Sequence, residues 1–216
     1  MSKIQWKPGT MVYPLPAVMV SCGIESSSYN ILTVAWTGTV CTAPPMTYIS
    51  IRKERHSYNI IRETGEFVIN LTTEKLAFAT DFCGVRSGRD IEKFTHLGLT
   101  PQPASVVKAP LIKESPVNIE CRVTQIIELG SHDMFLAEVM AVNVDEKYID
   151  ESGKFRLDAA KPICYSHGSY YGLAKELGTF GYSVMKPKTK RKREETAKKE
   201  NKSSMNKKNS KDKKRK

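Results

Sequence analysis

VNIECRVTQIIEL (117–129), GSHD (130–133) and MFLAEVMAVNVDE (134–146) are the stretch from which the fold is read. Two apolar-rich runs flank a four-residue turn. Val117, Ile119, Cys121 and Val123 alternate with polar neighbours, the period of a strand with one buried face. The phase slips near Ile126. An extra residue in one strand of a pair has that effect, so the slip predicts a β-bulge. The stretch reads as a long antiparallel hairpin.

Reading outward, VYPLPAVMVSCGI (12–24) predicts a strand with a bent or edge start, because Pro14 and Pro16 cannot donate to a ladder. SSSYN (26–30) is a turn, and ILTVAWTGTV (31–40) a strand rich in β-branched and aromatic residues. After a break at TAPP (42–45), MTYISIRK (46–53) is again a strand. HSYNIIRETG (56–65) predicts a short helix, with Ser57 as N-cap and Gly65 past its end. EFVINLT (66–72) is a strand and EKLAFATDF (74–82) is helical in pattern. GVRSGRDIEKF (84–94) is a polar loop running into a short helix. Residues 95–110, with three prolines, form a surface crossing. ICYSHGSYYGLAKELGTF (163–180) reads as a loop followed by a short helix. Strands outnumber helices without regular alternation. That excludes a doubly wound parallel sheet and predicts a mainly β, antiparallel barrel with short peripheral helices. Closure also removes exposed strand edges.

The net charge of +11 over 216 residues invites a nucleic-acid reading until it is located. Residues 186–216 hold 16 of the 34 basic and 4 of the 23 acidic residues, which leaves 1–185 with a net of −1. The body is electrically ordinary. The tail has one large apolar residue, Met205, and is expected to be a disordered, lysine-rich arm. Its functional reading is a polyanion-binding arm for RNA, DNA or an anionic membrane, on which the chain would act as a binding protein, and its plain reading is a solubilising tail with only nonspecific contacts. It has no aromatic residue to stack on bases. Five cysteines at 22, 41, 83, 121 and 164, without a CxxC pair, are neither a disulfide framework nor a zinc site. Most read as buried small apolar residues in a reducing compartment, and the chain is expected in the cytoplasm. No apolar segment near the start reads as a signal peptide, and no run is long enough to span a membrane.

Charge is locally concentrated within SIRKERHSYNII (50–61). Arg52, Lys53 and Arg55 fall between a strand and a helix start, whose unpaired N–H groups carry partial positive charge. With the Ser57 hydroxyl they make a candidate anion site. The competing reading is a solvated charged turn. Thr37, Gly38 and Thr39 form a small polar patch within an apolar strand. Glycine there admits a flat ligand close to the backbone, or merely bends the strand. Arg86, Ser87, Arg89 and Lys93 lie in a loop that either closes over the same ligand or stays exposed. No dinucleotide-binding fingerprint, Walker A motif or metal-ligand spacing is present.

The runs N-x5-W-T-G-T-x3-A-P-P (30–45), I-S-I-R-K-x-R-H-S-Y-x-x-I (49–61) and G-E-F-V-I-N-L (65–71) resemble the flavin reductase-like family of the flavoredoxin type, over about residues 8–182. The resemblance implies a Greek-key, FMN-binding split barrel over 1–185. It implies that Trp36, Thr37, Gly38 and Thr39 line the isoalloxazine ring and ribityl chain. Lys53, Arg55, His56 and Ser57 match the segment around the phosphate, and Arg86, Ser87, Gly88 and Lys93 the loop that closes on the cofactor. It further implies a homodimer, with NAD(P)H passing hydride to flavin N5. A flavoredoxin-like carrier, handing electrons to a partner protein, is the nearest alternative. Flavin chemistry needs positioning and electrostatics rather than an acid–base dyad, so no catalytic side chain is assigned. The tyrosines at 165, 170 and 171, beside His167, read as packing and dimer contact more readily than as a cover for the site.

Overall fold

Alternating strands separated by short turns give the following order in the computed structural model, which describes residues 1–186. The first half contains β1 (Leu15–Pro16), β2 (Val18–Cys22), β3 (Asn30–Val34), β4 (Thr37–Thr42), β5 (Pro45–Ile51), α1 (His56–Thr64) and β6 (Glu66–Asn70). The second contains α2 (Ala77–Val85), α3 (Lys93–Leu97), β7 (Pro101–Gln102), β8 (Leu111–Ile112), β9 (Val117–Leu129), β10 (His132–Val144), β11 (Ile163–Ser166) and β12 (Ser169–Gly172). Met1–Leu173 form one compact unit. The described part of the second unit, 174–186, contains a 3-10 turn at Tyr182–Val184. The tail reading falls, beyond Lys186, outside the described residues. Among the described residues no helix is long and apolar enough to cross a membrane.

Seven strands pair in the order β3-β2-β6-β9-β10-β5-β4, with every ladder antiparallel. The connection from β5 to β6 runs through α1 and skips β9 and β10, the long return of a Greek key. The two ends of the sheet, β3 and β4, are consecutive in the chain and joined by Ala35 and Trp36. Ser50 N donates to Trp36 O at 2.9 Å, which carries the β4–β5 pairing up to this junction with β3. The sheet therefore curls into a barrel with a seam where a β3–β4 ladder would lie. Inward side chains of six strands merge into one core, including Val20, Leu32, Ile49, Phe67, Cys121 and Phe135, with Tyr58 and Ile61 of α1 packed among them. On the outside, α2 and α3 cover β2 and β3 through Met19, Ile31, Cys83 and Phe94.

The long hairpin is present with a tighter turn than its sequence implies, since β9 and β10 leave only Gly130 and Ser131 between them. Gly130 takes a φ of 70°, as a two-residue hairpin turn requires. The bulge is at Thr124: Leu136 faces Gln125 while Ala137 faces Val123. That skipped residue lets Val123 and Ile126 both pack on the interior. A second shift lies at Met140, which packs on the outer cluster with Val68 and Val107.

Three expectations are corrected. Residues 31–40 are two strands, because the chain must pass from one end of the sheet to the other at Ala35–Trp36. The 163–180 stretch begins as a hairpin, β11 and β12, turning on His167 and Gly168 with φ of 49° and 92°. No helix follows among its residues, all of which are described. Ser57 is not an N-cap. The cap position is Arg55, and the Ser57 hydroxyl accepts a hydrogen bond from Asn30 Nδ2 at 2.6 Å. Gly65 ends α1 in the left-handed conformation as the sequence indicates, its N–H donating to Ile61 O.

Candidate functional site

The seam is where the barrel opens. A cavity of about 500 Å³ is lined there by Leu32, Val34, Ala35 and Trp36 on one wall, and by Ser50, Ile51 and Arg52 of the β5 end on another. Asp81, Gly84 and Val85 of α2 close one side, and Tyr165, Gly168 and Tyr170 of the β11–β12 hairpin another. His132, brought alongside because β10 pairs with β5, stacks on Trp36 with the rings 6.0 Å apart and 10° from parallel. Burial first, then Arg52 and Arg55, pull the His132 pKa down. Tyr170 is pushed up to about 12 by burial, then by the neighbouring Asp81 carboxylate.

A narrower cavity of about 210 Å³ continues from it, the two sharing Leu32, Thr33, Glu54, Arg55 and Gly84. Its walls are Arg55, His56 and Ser57 at the start of α1, Arg86–Arg89 after α2, and Lys93. The first turn of α1 leaves N–H groups without intrahelical acceptors at this end. Burial first, then Arg89 and Lys93, depress the His56 pKa, as a cationic enclosure requires. Lys93 is only 3 % exposed. Its ammonium donates to Ile31 O at 2.6 Å and Cys83 O at 3.0 Å, tying β3 to α2. Burial is the main cause holding its pKa below the usual lysine value. Gly88 fits closely: a Cβ there would lie 2.1 Å from Asn30 Oδ1 and 2.9 Å from His56 Cδ2. Burial pushes the thiols of Cys22 and Cys83 up to about 12 and about 11, so both remain protonated at neutral pH.

The geometry is that of an elongated pocket with one cationic, narrow end and one wide, partly aromatic end. It suits a ligand with an anionic group at one end and a flat ring at the other. Of the residues singled out from sequence, Trp36, Arg52, Arg55, His56, Ser57, Arg86, Ser87, Gly88, Arg89 and Lys93 are brought together on its walls. Thr37, Gly38, Thr39 and Lys53 line neither cavity. The Thr37 hydroxyl is buried and donates to Tyr48 O at 2.6 Å. Gly38 lies against the Tyr48 ring, and Thr39 faces solvent on the edge strand. The Lys53 ammonium turns to Glu128 and Asp133. Asn30, Ser50, Asp81, Gly84 and His132 were not anticipated. His132 lies about 80 residues from Arg52, and only the β5–β10 pairing juxtaposes them.

Residues 10–174 match the family described as Flavin reductase like domain. The chain is 32% identical over 139 residues to an uncharacterized protein of Archaeoglobus fulgidus, covering 64% of this chain and 77% of that one. It superposes on the flavoredoxin of Desulfovibrio vulgaris (Miyazaki F) with a TM-score of 0.79 and 31% identity, over 85% of this chain and all of the other. A flavoredoxin from Methanosarcina acetivorans gives a TM-score of 0.76 at 26% identity, over 86% of this chain and all of that one.

Proposed function

The chain belongs to the flavin reductase-like domain family, and on that premise we propose that it is an FMN-binding oxidoreductase which accepts hydride from NAD(P)H. One observation carries the reading. The narrow cationic cavity adjoins the wider one at the barrel seam, the two sharing Leu32, Thr33, Glu54, Arg55 and Gly84 as wall. The residues present fit FMN. Arg55, Ser57, Arg86, Arg89 and the α1 N-terminus would hold the phosphate, with Gly88 keeping the enclosing loop close. Val34, Ala35, Trp36 and Ser50 would border the ring.

A bound flavin would supply the redox chemistry, hydride acceptance and onward electron transfer. The protein's part is placement. The α1 N-terminus and the arginines fix the phosphate end, and with it the depth to which a ring enters the seam. The Tyr165–Tyr170 hairpin and Val85 limit water on the open side. A nicotinamide would enter from solvent as a passing substrate. The reading includes a homodimer in the cytoplasm.

An absorption spectrum after FMN loading and gel filtration tests the first half, and FMN-stimulated oxidation of NADH or NADPH the second. Retained flavin bands with flavin-dependent oxidation are expected. Neither bands nor oxidation would sink the proposal. The likeness to a flavoredoxin over that protein's whole length supports a second reading, an electron carrier to a partner protein. A carrier would retain flavin yet leave NADH and NADPH untouched.

A further inference from the structure

Lys53 stands in the charged turn that opens the site, yet its ammonium faces away from the cavity. It lies 3.1 Å from Glu128 and 3.4 Å from Asp133. These two carboxylates occupy facing positions of the β9–β10 hairpin. Asp133 is wholly buried. Its Oδ2 also accepts from the Tyr58 hydroxyl at 2.5 Å, while Oδ1 has no hydrogen-bond partner among the described residues. One buried oxygen therefore ties both ends of the segment 53–58. Between those ends lie Arg55, His56 and Ser57, which line the narrow cavity.

We propose that Lys53 and Asp133 are positioning residues for the anion cradle: Asp133 fixes the turn and first helical residues as one unit, and Lys53 cancels the carboxylate charge behind them. The inference rests on the FMN reading for its ligand. Without Lys53, the buried Asp133 carboxylate would lie without its cation behind a site meant for a phosphate dianion, whereas Glu128 is exposed and screened by water. A buried charge that loses its partner has a large field, because the surrounding protein screens it poorly. Lys53 thus acts on the phosphate without touching it. The Tyr58 hydroxyl agrees with this arrangement, since its bond with Asp133 is the largest cause lowering that carboxyl's pKa.

The test is FMN titration by flavin fluorescence of the full chain and three variants. Lys53→Ala is expected to weaken FMN about tenfold, the scale of one charge-assisted contact. Lys53→Arg should bind like the unaltered protein. In the double variant Lys53→Ala/Asp133→Asn, affinity should return, because asparagine still accepts from Tyr58 but carries no charge. Unchanged binding by Lys53→Ala would overturn the proposal. So would a double variant as weak as the single one, the result a direct lysine–phosphate contact gives. Hydrogen exchange of the ligand-free chain judges the tie independently. Tyr58→Phe should speed exchange at amides 56–58, and unchanged exchange there would refute the tie whether or not FMN binds. Failure of the unaltered chain to bind FMN, with exchange as expected, would instead refute the functional reading alone.

Discussion

Gly88→Ala is expected to weaken FMN binding roughly a hundredfold, the loss of about two charge-assisted contacts. The reason is space. The added Cβ would fall 2.1 Å from Asn30 Oδ1 and 2.6 Å from Asn30 Cγ. Asn30 has little room to yield, since it is buried and donates to Ser57 Oγ. Either the 86–89 loop moves outward with Arg86 and Arg89, or Asn30 gives up Ser57 at the start of α1. Both routes open the cradle. The residue lies in a loop at the rim, so the barrel should remain folded, with a stability loss of about 1–3 kcal/mol. Flavin fluorescence titration measures the first effect and urea unfolding the second. Unaltered FMN affinity would show that the loop does not close on the ligand.

Glu120→Gln is expected to cost about 3 kcal/mol of stability at pH 7, the scale of breaking a buried charged network. Glu120 is fully buried on the outer face of β9. Its carboxylate accepts from the backbone N–H groups of Ser105, Val106 and Val107, the Ser105 hydroxyl and Asn143 Nδ2, all within 3.0 Å. Burial alone would raise its pKa. The Ser105 and Val107 amides, Asn143 and the Ser105 hydroxyl outweigh burial and bring it down to about 2 from 4.5. A depressed carboxyl stabilises the fold above its unfolded value, and that contribution fades as pH falls through the folded one. A gap of this size is worth about 3 kcal/mol. The difference between the unaltered protein and Glu120→Gln should therefore be full above about pH 4.5 and shrink toward pH 2. A glutamine in that place would also turn its NH2 on amides that need an acceptor. Urea midpoints across pH 2–7 read the effect, and a pH-independent difference would contradict it.

What the sequence made legible was local. The alternation through Val117, Ile119, Cys121 and Val123, and its slip, gave the hairpin and its bulge within two residues. HSYNIIRETG gave α1 and its glycine terminus, because a charged turn, an amphipathic run and Gly65 agree. The seam was not legible. ILTVAWTGTV has unbroken β character, and nothing local marks Ala35–Trp36 as the crossing between sheet ends. The β11–β12 hairpin did carry a signal: His167 and Gly168 between alternating tyrosines make a two-residue turn. The site divided along the same line. Arg55, His56 and Ser57 were readable from one segment. Asn30, Asp81 and His132 join it only through pairings far apart in the chain. Lys53 was placed in the site by its charge, but the buried Asp133 opposite Glu128 in the register draws its ammonium the other way.

The central claim is that the narrow cavity holds a phosphate and the seam a flavin ring. Its most direct measurement compares the affinities of FMN and riboflavin, identical but for the phosphate, in the unaltered chain and in Arg55→Ala. FMN should bind about a hundredfold more tightly than riboflavin, as two charge-assisted contacts would give, and Arg55→Ala should remove about tenfold of that preference. Equal affinities for FMN and riboflavin, or a preference untouched by Arg55→Ala, would contradict the account.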